Sequence, residues 1–180
     1  CGKTTLAAHL AVALGQHRPV VLVDTDPQRS ASQWHRSRER PTPELVEAAR
    51  SRFAADGVPM HGAGVTVTSG TLDAVERLLG TRLQPGDRVG VEDPGWANLI
   101  DLVAALGLEA VSVPVDDEGP TVDGLRRAVD AGVGAVVVTT RAQNPTGASV
   151  TPERAERLRR VLTKAPDVLV IEDDHLAELA

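Results

Sequence analysis

The feature that most constrains this chain is its alternation of short apolar runs with amphipathic stretches from residue 65 onward. "VTVT" (65–68) precedes a stretch at helical spacing over 71–80, "RVGVED" (88–93) one over 96–106, and "AVSVPV" (110–115) one over 121–131. "AVVVTT" (135–140) leads into a helix over 152–163, and "VLVIEDD" (168–174) follows it. β-Branched runs with little polar alternation suit strands covered on both faces, and strands alternating with helices form βαβ units. The expected fold is α/β: a mainly parallel β-sheet with helices on both faces, in three αβα layers. Ligands of such sheets collect at the carboxyl ends of the strands.

The first quarter of the chain reads differently. Thr4–Leu14 has helical spacing and stops at Gly15, "PVVLVDTD" (19–26) reads as a buried strand, and "SASQWHRSRER" (30–40) as a polar helix broken by "PTP" (41–43). Over 44–55 a helix presents Leu45, Val46, Ala49 and Phe53 on one face. Residues 1–43 carry six Lys/Arg against three Asp/Glu, and residues 44–180 carry thirteen against twenty-two. That shift places an expected seam near 41–46 and divides the chain into 1–43 and 44–180. The acidic larger part argues against DNA binding by this portion alone. No apolar run is long enough to span a membrane, and the expected location is cytoplasmic. Cys1 is the only cysteine and the five His are scattered, so neither a disulfide nor a metal site is expected.

Two constellations carry chemistry. In the first, Gly2-Lys3-Thr4-Thr5 matches the end of a phosphate-binding loop, and Asp24 and Asp26 close the following strand. Loop amides and Lys3 would hold nucleotide phosphates, Thr4 would ligate Mg²⁺, and Asp24 or Asp26 would serve the metal's water shell or orient an attacking water. The bland alternative is a solvated lysine at a helix start and two turn-capping acids. "GKTT" with "VVLVDTDPQ" at this spacing resembles the ParA-type partition ATPases over roughly the first 43 residues. The resemblance implies ATP with Mg²⁺, but the upstream K-G-G of that family is missing and Arg29 replaces its usual glycine.

The second constellation falls on successive strand ends. Ser69-Gly70-Thr71 lies between a strand and a helix, where amides and hydroxyls make either a phosphate cup or an ordinary N-cap. Trp96 follows a strand and a Pro-Gly turn, and either stacks on a planar ring or covers the sheet edge. Asn144 stands in "NPTG", which turn chemistry alone explains, as does an amide donating to a phenolate oxygen. Glu172, Asp173, Asp174 and His175 close the last strand; a carboxylate there pairs with a protonated pyridine nitrogen or simply caps a helix.

In order and spacing these signals resemble the large domain of fold-type-I pyridoxal-phosphate enzymes. "RVGVEDPGWANLIDLVAALG", "RAQNPTGASVTPERA" and "VLVIEDDHLAELA" look like the MocR/GntR-type transcription regulators, which join a winged helix to an aminotransferase-like effector domain. The resemblance implies that Ser69, Gly70 and Thr71 hold the phosphate of pyridoxal 5′-phosphate and that Trp96 stacks on the ring. It also implies that Asn144 bonds the 3-hydroxyl oxygen and Asp173 the ring nitrogen, with His175 where the family commonly has Tyr. It implies a small amine or amino-acid effector and a homodimer. The lysine that bonds covalently to the cofactor is expected beyond Ala180, so no catalytic residue is expected in this chain. The expected whole is a partial aminotransferase large domain preceded by a truncated phosphate-loop segment, with an inert chimeric fragment as a further reading.

Overall fold

A computed structural model describes residues 50, 51, 53–55, 61–64 and 68–174. Helical residues at 50, 51 and 53–55 agree with the helix expected over 44–55. The elements expected before residue 50, and the strand over 65–68 apart from Thr68, lie outside the described residues.

The remaining elements follow the expected alternation. α1 (Thr71–Gly80) buries Ala74, Val75, Leu78 and Leu79 at helical spacing. β1 (Arg88–Asp93) is exposed only at its two ends. α2 (Ala97–Ala105) buries Leu99 and Val103, and β2 (Glu109–Asp116) follows it. A two-residue strand, β3 (Gly119–Pro120), pairs antiparallel with β2. α3 (Val122–Asp130) and α4 (Pro152–Thr163) each start at a threonine whose hydroxyl accepts an N–H of the first turn, Gly124 for Thr121 and Arg154 for Thr151, both at 3.2 Å. Pro152 opens α4, where a missing N–H costs nothing. β4 (Ala135–Thr139) and β5 (Leu169–Asp173) complete the sheet.

The sheet order is β3-β2-β1-β4-β5, and every pairing except β2–β3 is parallel. Two cores cover its faces. One joins Val75, Leu78 and Leu79 of α1 and Leu99 and Val103 of α2 to Val89, Val91, Val137 and Ile171 of the sheet. The other joins Val122, Leu125 and Ala128 of α3 and Leu158 and Leu162 of α4 to Val113, Val136 and Val170. The three-layer arrangement is the one the sequence predicts. β3 was not expected, because two residues carry no periodicity to read.

Arg154 fastens α4 to the β2–β3 hairpin. Its guanidinium is buried and donates to both oxygens of Asp116, at 2.9 and 2.8 Å, to Glu118 at 3.0 Å and to the Pro120 carbonyl at 2.9 Å. Arg154 in turn holds the Asp116 carboxyl below its ordinary range. This fork-to-fork geometry is available to Arg and not to Lys.

Candidate functional site

β1 lies between β2 and β4, so the chain leaves β1 to one side and later returns to its other side. In open parallel sheets the crevice beyond the carboxyl ends at such a reversal is where ligands bind. Two turns meet here.

The turn after β1 runs through Asp93, Pro94 and Gly95 to Trp96, which is the N-cap of α2. A side chain at Gly95 would bring a Cβ within 2.1 Å of the Glu92 carbonyl oxygen, so the tightness of this turn requires glycine. Trp96 is half-buried and packs on the core that contains Leu99 and Ile171. Asp93 is exposed and accepts the Ser112 hydroxyl at 2.8 Å.

The turn after β4 carries "RAQNPTG". Asn144 is exposed, whereas its neighbour Gln143 is 1 % exposed. The Gln143 side-chain nitrogen donates to Glu92 Oε2 at 3.1 Å and to the Pro94 carbonyl at 2.9 Å. Its side-chain oxygen accepts the Thr146 N–H at 3.1 Å and the Thr146 hydroxyl at 2.6 Å. Glu92, also buried, accepts the Thr139 N–H at 2.9 Å. Burial pushes the Glu92 carboxyl above its usual range, against the pull of these donors, and the nearby Asp173 charge adds to the rise. Just before Gln143, Ala142 has φ of 48°, a left-handed conformation uncommon for a residue with a Cβ.

Asp173 ends β5 in register with Thr139 of β4, and its carbonyl accepts the Thr140 N–H at 3.1 Å. Strand alternation puts Asp173 on the face of Ile171, the face that Trp96 covers. Glu172 points to the opposite face, where burial, with the Asp174 charge second, pushes its carboxyl up to about 7. Asp174 is buried and takes both its oxygens to the Arg141 guanidinium.

Ser69, Gly70 and Thr71 open α1. Gly70 is the N-cap, with φ of 149° and nothing within 4 Å of where a Cβ would stand, and no side chain caps the helix. Ser69 therefore does not act as an ordinary N-cap. Its N–H and hydroxyl both donate to Asp73, at 2.8 and 2.9 Å, and Arg77 binds the other Asp73 oxygen at 2.6 Å. The Ser69 N–H, and then Arg77, hold the Asp73 carboxyl below its ordinary range. The uncapped amides and the open space at Gly70 fit a phosphate group, while the Asp73 carboxylate beside Ser69 would have to tolerate it.

Trp96, the Asn144 turn and Asp173 thus share one edge of the sheet, and α1 shares a core with Trp96. His175, Gly2, Lys3, Thr4, Thr5, Asp24 and Asp26 lie outside the described residues. Among the described residues no group of His, Cys, Asp or Glu is arranged to hold a metal, and no helix is long and apolar enough to cross a membrane. Sequence reasoning missed Glu92 and Gln143. The available signal was a carboxylate set inside an apolar strand, where burial demands a partner.

The family described as Aminotransferase class I and II matches residues 12–179. The Vitamin B6 salvage pathway transcriptional repressor PtsJ of Salmonella typhimurium is 44% identical over 77% of this chain and 32% of its own length. The HTH-type pyridoxine biosynthesis transcriptional regulator PdxR of Corynebacterium glutamicum is 34% identical over 74% of this chain and 28% of its own. The chain therefore spans about a third of the length of the curated relatives it matches. Among solved structures, the kynurenine aminotransferase of Pyrococcus horikoshii, crystallised in complex with PMP, superposes with a TM-score of 0.52 at 28% identity, over 57% of this chain and 27% of that one. These similarities give no support to a phosphate-loop ATPase in residues 1–43.

Proposed function

The chain belongs to the aminotransferase class I and II family, and from that premise we propose that residues 44–180 form part of a pyridoxal-phosphate-binding effector domain of a MocR/GntR-type transcription regulator. The observation that carries the reading is the meeting of Trp96, the Asn144 turn and Asp173 at the switch-point edge of the sheet. The regulator names of relatives at 44% and 34% identity favour sensing over turnover.

When bound, the cofactor supplies an electron sink for charge developing on an amine substrate. The residues here bind and orient it. The Gly70 and Thr71 amides at the uncapped start of α1 take the phosphate, helped by the positive end of the helix. Trp96 gives a stacking face, Asn144 an amide for the ring oxygen, and Asp173 a carboxylate that keeps a proton on the ring nitrogen. A small amine or amino acid is the effector, the complete protein is a homodimer, and DNA contacts come from outside residues 44–180.

Equilibrium dialysis against pyridoxal 5′-phosphate, read by absorbance, tests the reading. Saturable binding is expected, about fivefold weaker in Trp96→Ala if one aromatic stack worth about 1 kcal/mol is lost. Asp173→Ala should shift the absorbance of the bound ligand toward the unprotonated ring. Borohydride should leave no adduct on Lys164, which follows α4 at the edge of the sheet opposite the site. Absence of saturable binding, or a bound spectrum indifferent to Asp173→Ala, would overturn the assignment.

A further inference from the structure

We infer that Gln143 is a positioning residue: its side-chain amide joins the turn that carries Trp96 to the turn that carries Asn144, and so sets the gap into which a pyridine ring fits. The ligand in this inference rests on the pyridoxal-phosphate reading above; the coupling between the turns does not.

The geometry leaves the amide no freedom. Two donors and two lone pairs are all that a glutamine side chain offers, and all four are used, by Glu92, Pro94 and both polar groups of Thr146. The orientation is unambiguous as well, since a flipped amide would set its oxygen against two other oxygens. Glu92 is itself anchored at the end of β4 through the Thr139 N–H. A closed circuit therefore runs from β4 through Glu92 and Gln143 to the Pro94 carbonyl, buried beside the point where the strand order reverses.

Neither side chain reaches the crevice; Glu92 is 5% and Gln143 1% exposed. What lies beside them does. Asn144 follows Gln143 directly, and Trp96 is two residues beyond Pro94. A buried carboxylate held by an amide carries a desolvation cost that apolar side chains of the same volume would avoid. Fully satisfied polar networks instead specify one arrangement. Here the arrangement specified is the separation of a stacking face from a hydrogen-bonding turn.

Gln143→Glu and Gln143→Leu, made in the full 180-residue chain, test this. Ionised, the new glutamate sets negative oxygen against Glu92 and the Pro94 carbonyl; protonated, it can donate to one of them. Relative to the unsubstituted chain at each pH, Gln143→Glu should bind pyridoxal 5′-phosphate about tenfold more weakly at pH 8, the scale of one lost hydrogen bond to a charged group. The deficit should close toward pH 5, while competition by inorganic phosphate stays unchanged. A merely structural role would weaken both ligands together and show no recovery. Hydrogen exchange on the ligand-free protein supplies the second arm. Gln143→Leu should speed exchange both at the Gly147 and Ala148 amides and at Leu99 and Ile100, whose N–H groups bond to the Trp96 carbonyl. A response confined to 143–148 would overturn the coupling, whatever the ligand does. If the unsubstituted chain fails to bind pyridoxal 5′-phosphate, the functional reading falls while the exchange result still decides the coupling.

Discussion

At Gly95 a single hydrogen separates a formed turn from a clash. Gly95→Ala would place its Cβ against the Glu92 carbonyl oxygen, which belongs to the sheet and cannot swing aside. The expected cost is about 1–3 kcal/mol, as for other overpacked sites, together with a shift in Trp96 emission; urea unfolding followed by fluorescence measures both. Glu172 makes a prediction of a different kind. Its carboxyl is raised to about 7 from 4.5, so between those values the folded chain holds a proton that the unfolded chain has released. Stability should therefore fall as pH rises through that window and level off above it. Glu172→Gln, neutral at every pH, should flatten this slope, and its urea midpoint should exceed that of the unsubstituted chain at pH 8 but not at pH 4.5. Equal pH dependence in the two proteins would refute the assignment.

At the scale of elements, the Arg154 clamp predicts that α4 and the β2–β3 hairpin respond as a unit. Arg154→Met keeps the volume and removes the donors to Asp116, Glu118 and Pro120. The two carboxylates are about half exposed and would be resolvated, so the loss belongs near 2 kcal/mol and not at the upper end for broken buried pairs. Thermal unfolding measures it, and Asp116→Asn should add little once Arg154 is gone. The elements themselves were legible because β1, β4 and β5 are apolar runs and α1 to α4 bury residues at helical spacing. Among the expected site residues, Ser69, Trp96 and Asn144 drew notice because each stands after a strand next to Gly or Pro, and Asp173 because it closes an apolar strand. Gln143 and Glu92 did not. Their pairing spans 51 residues, and a glutamine in a polar loop reads as solvated until the fold shows it buried. The direction of Ser69, toward Asp73 and away from the helix amides, was hidden for the same reason: several local acceptors competed, and geometry alone chose among them.

Across the whole molecule, the strand order β3-β2-β1-β4-β5 brings together strand ends far apart in sequence. Trp96 and Asp173 are brought to one edge by the return of the chain past β1, and the two cores hold that edge from either face. The Arg154 clamp also has a consequence for biosynthesis. Asp116 and Glu118 leave the ribosome 38 and 36 residues before the guanidinium that gathers them. At about 5–20 residues per second, the hairpin waits roughly 2–8 s as an unsecured edge beside β1. During that interval Asp116 and Glu118 lack the guanidinium that gathers them in the finished fold, and their like charges make the open edge a poor template for another strand.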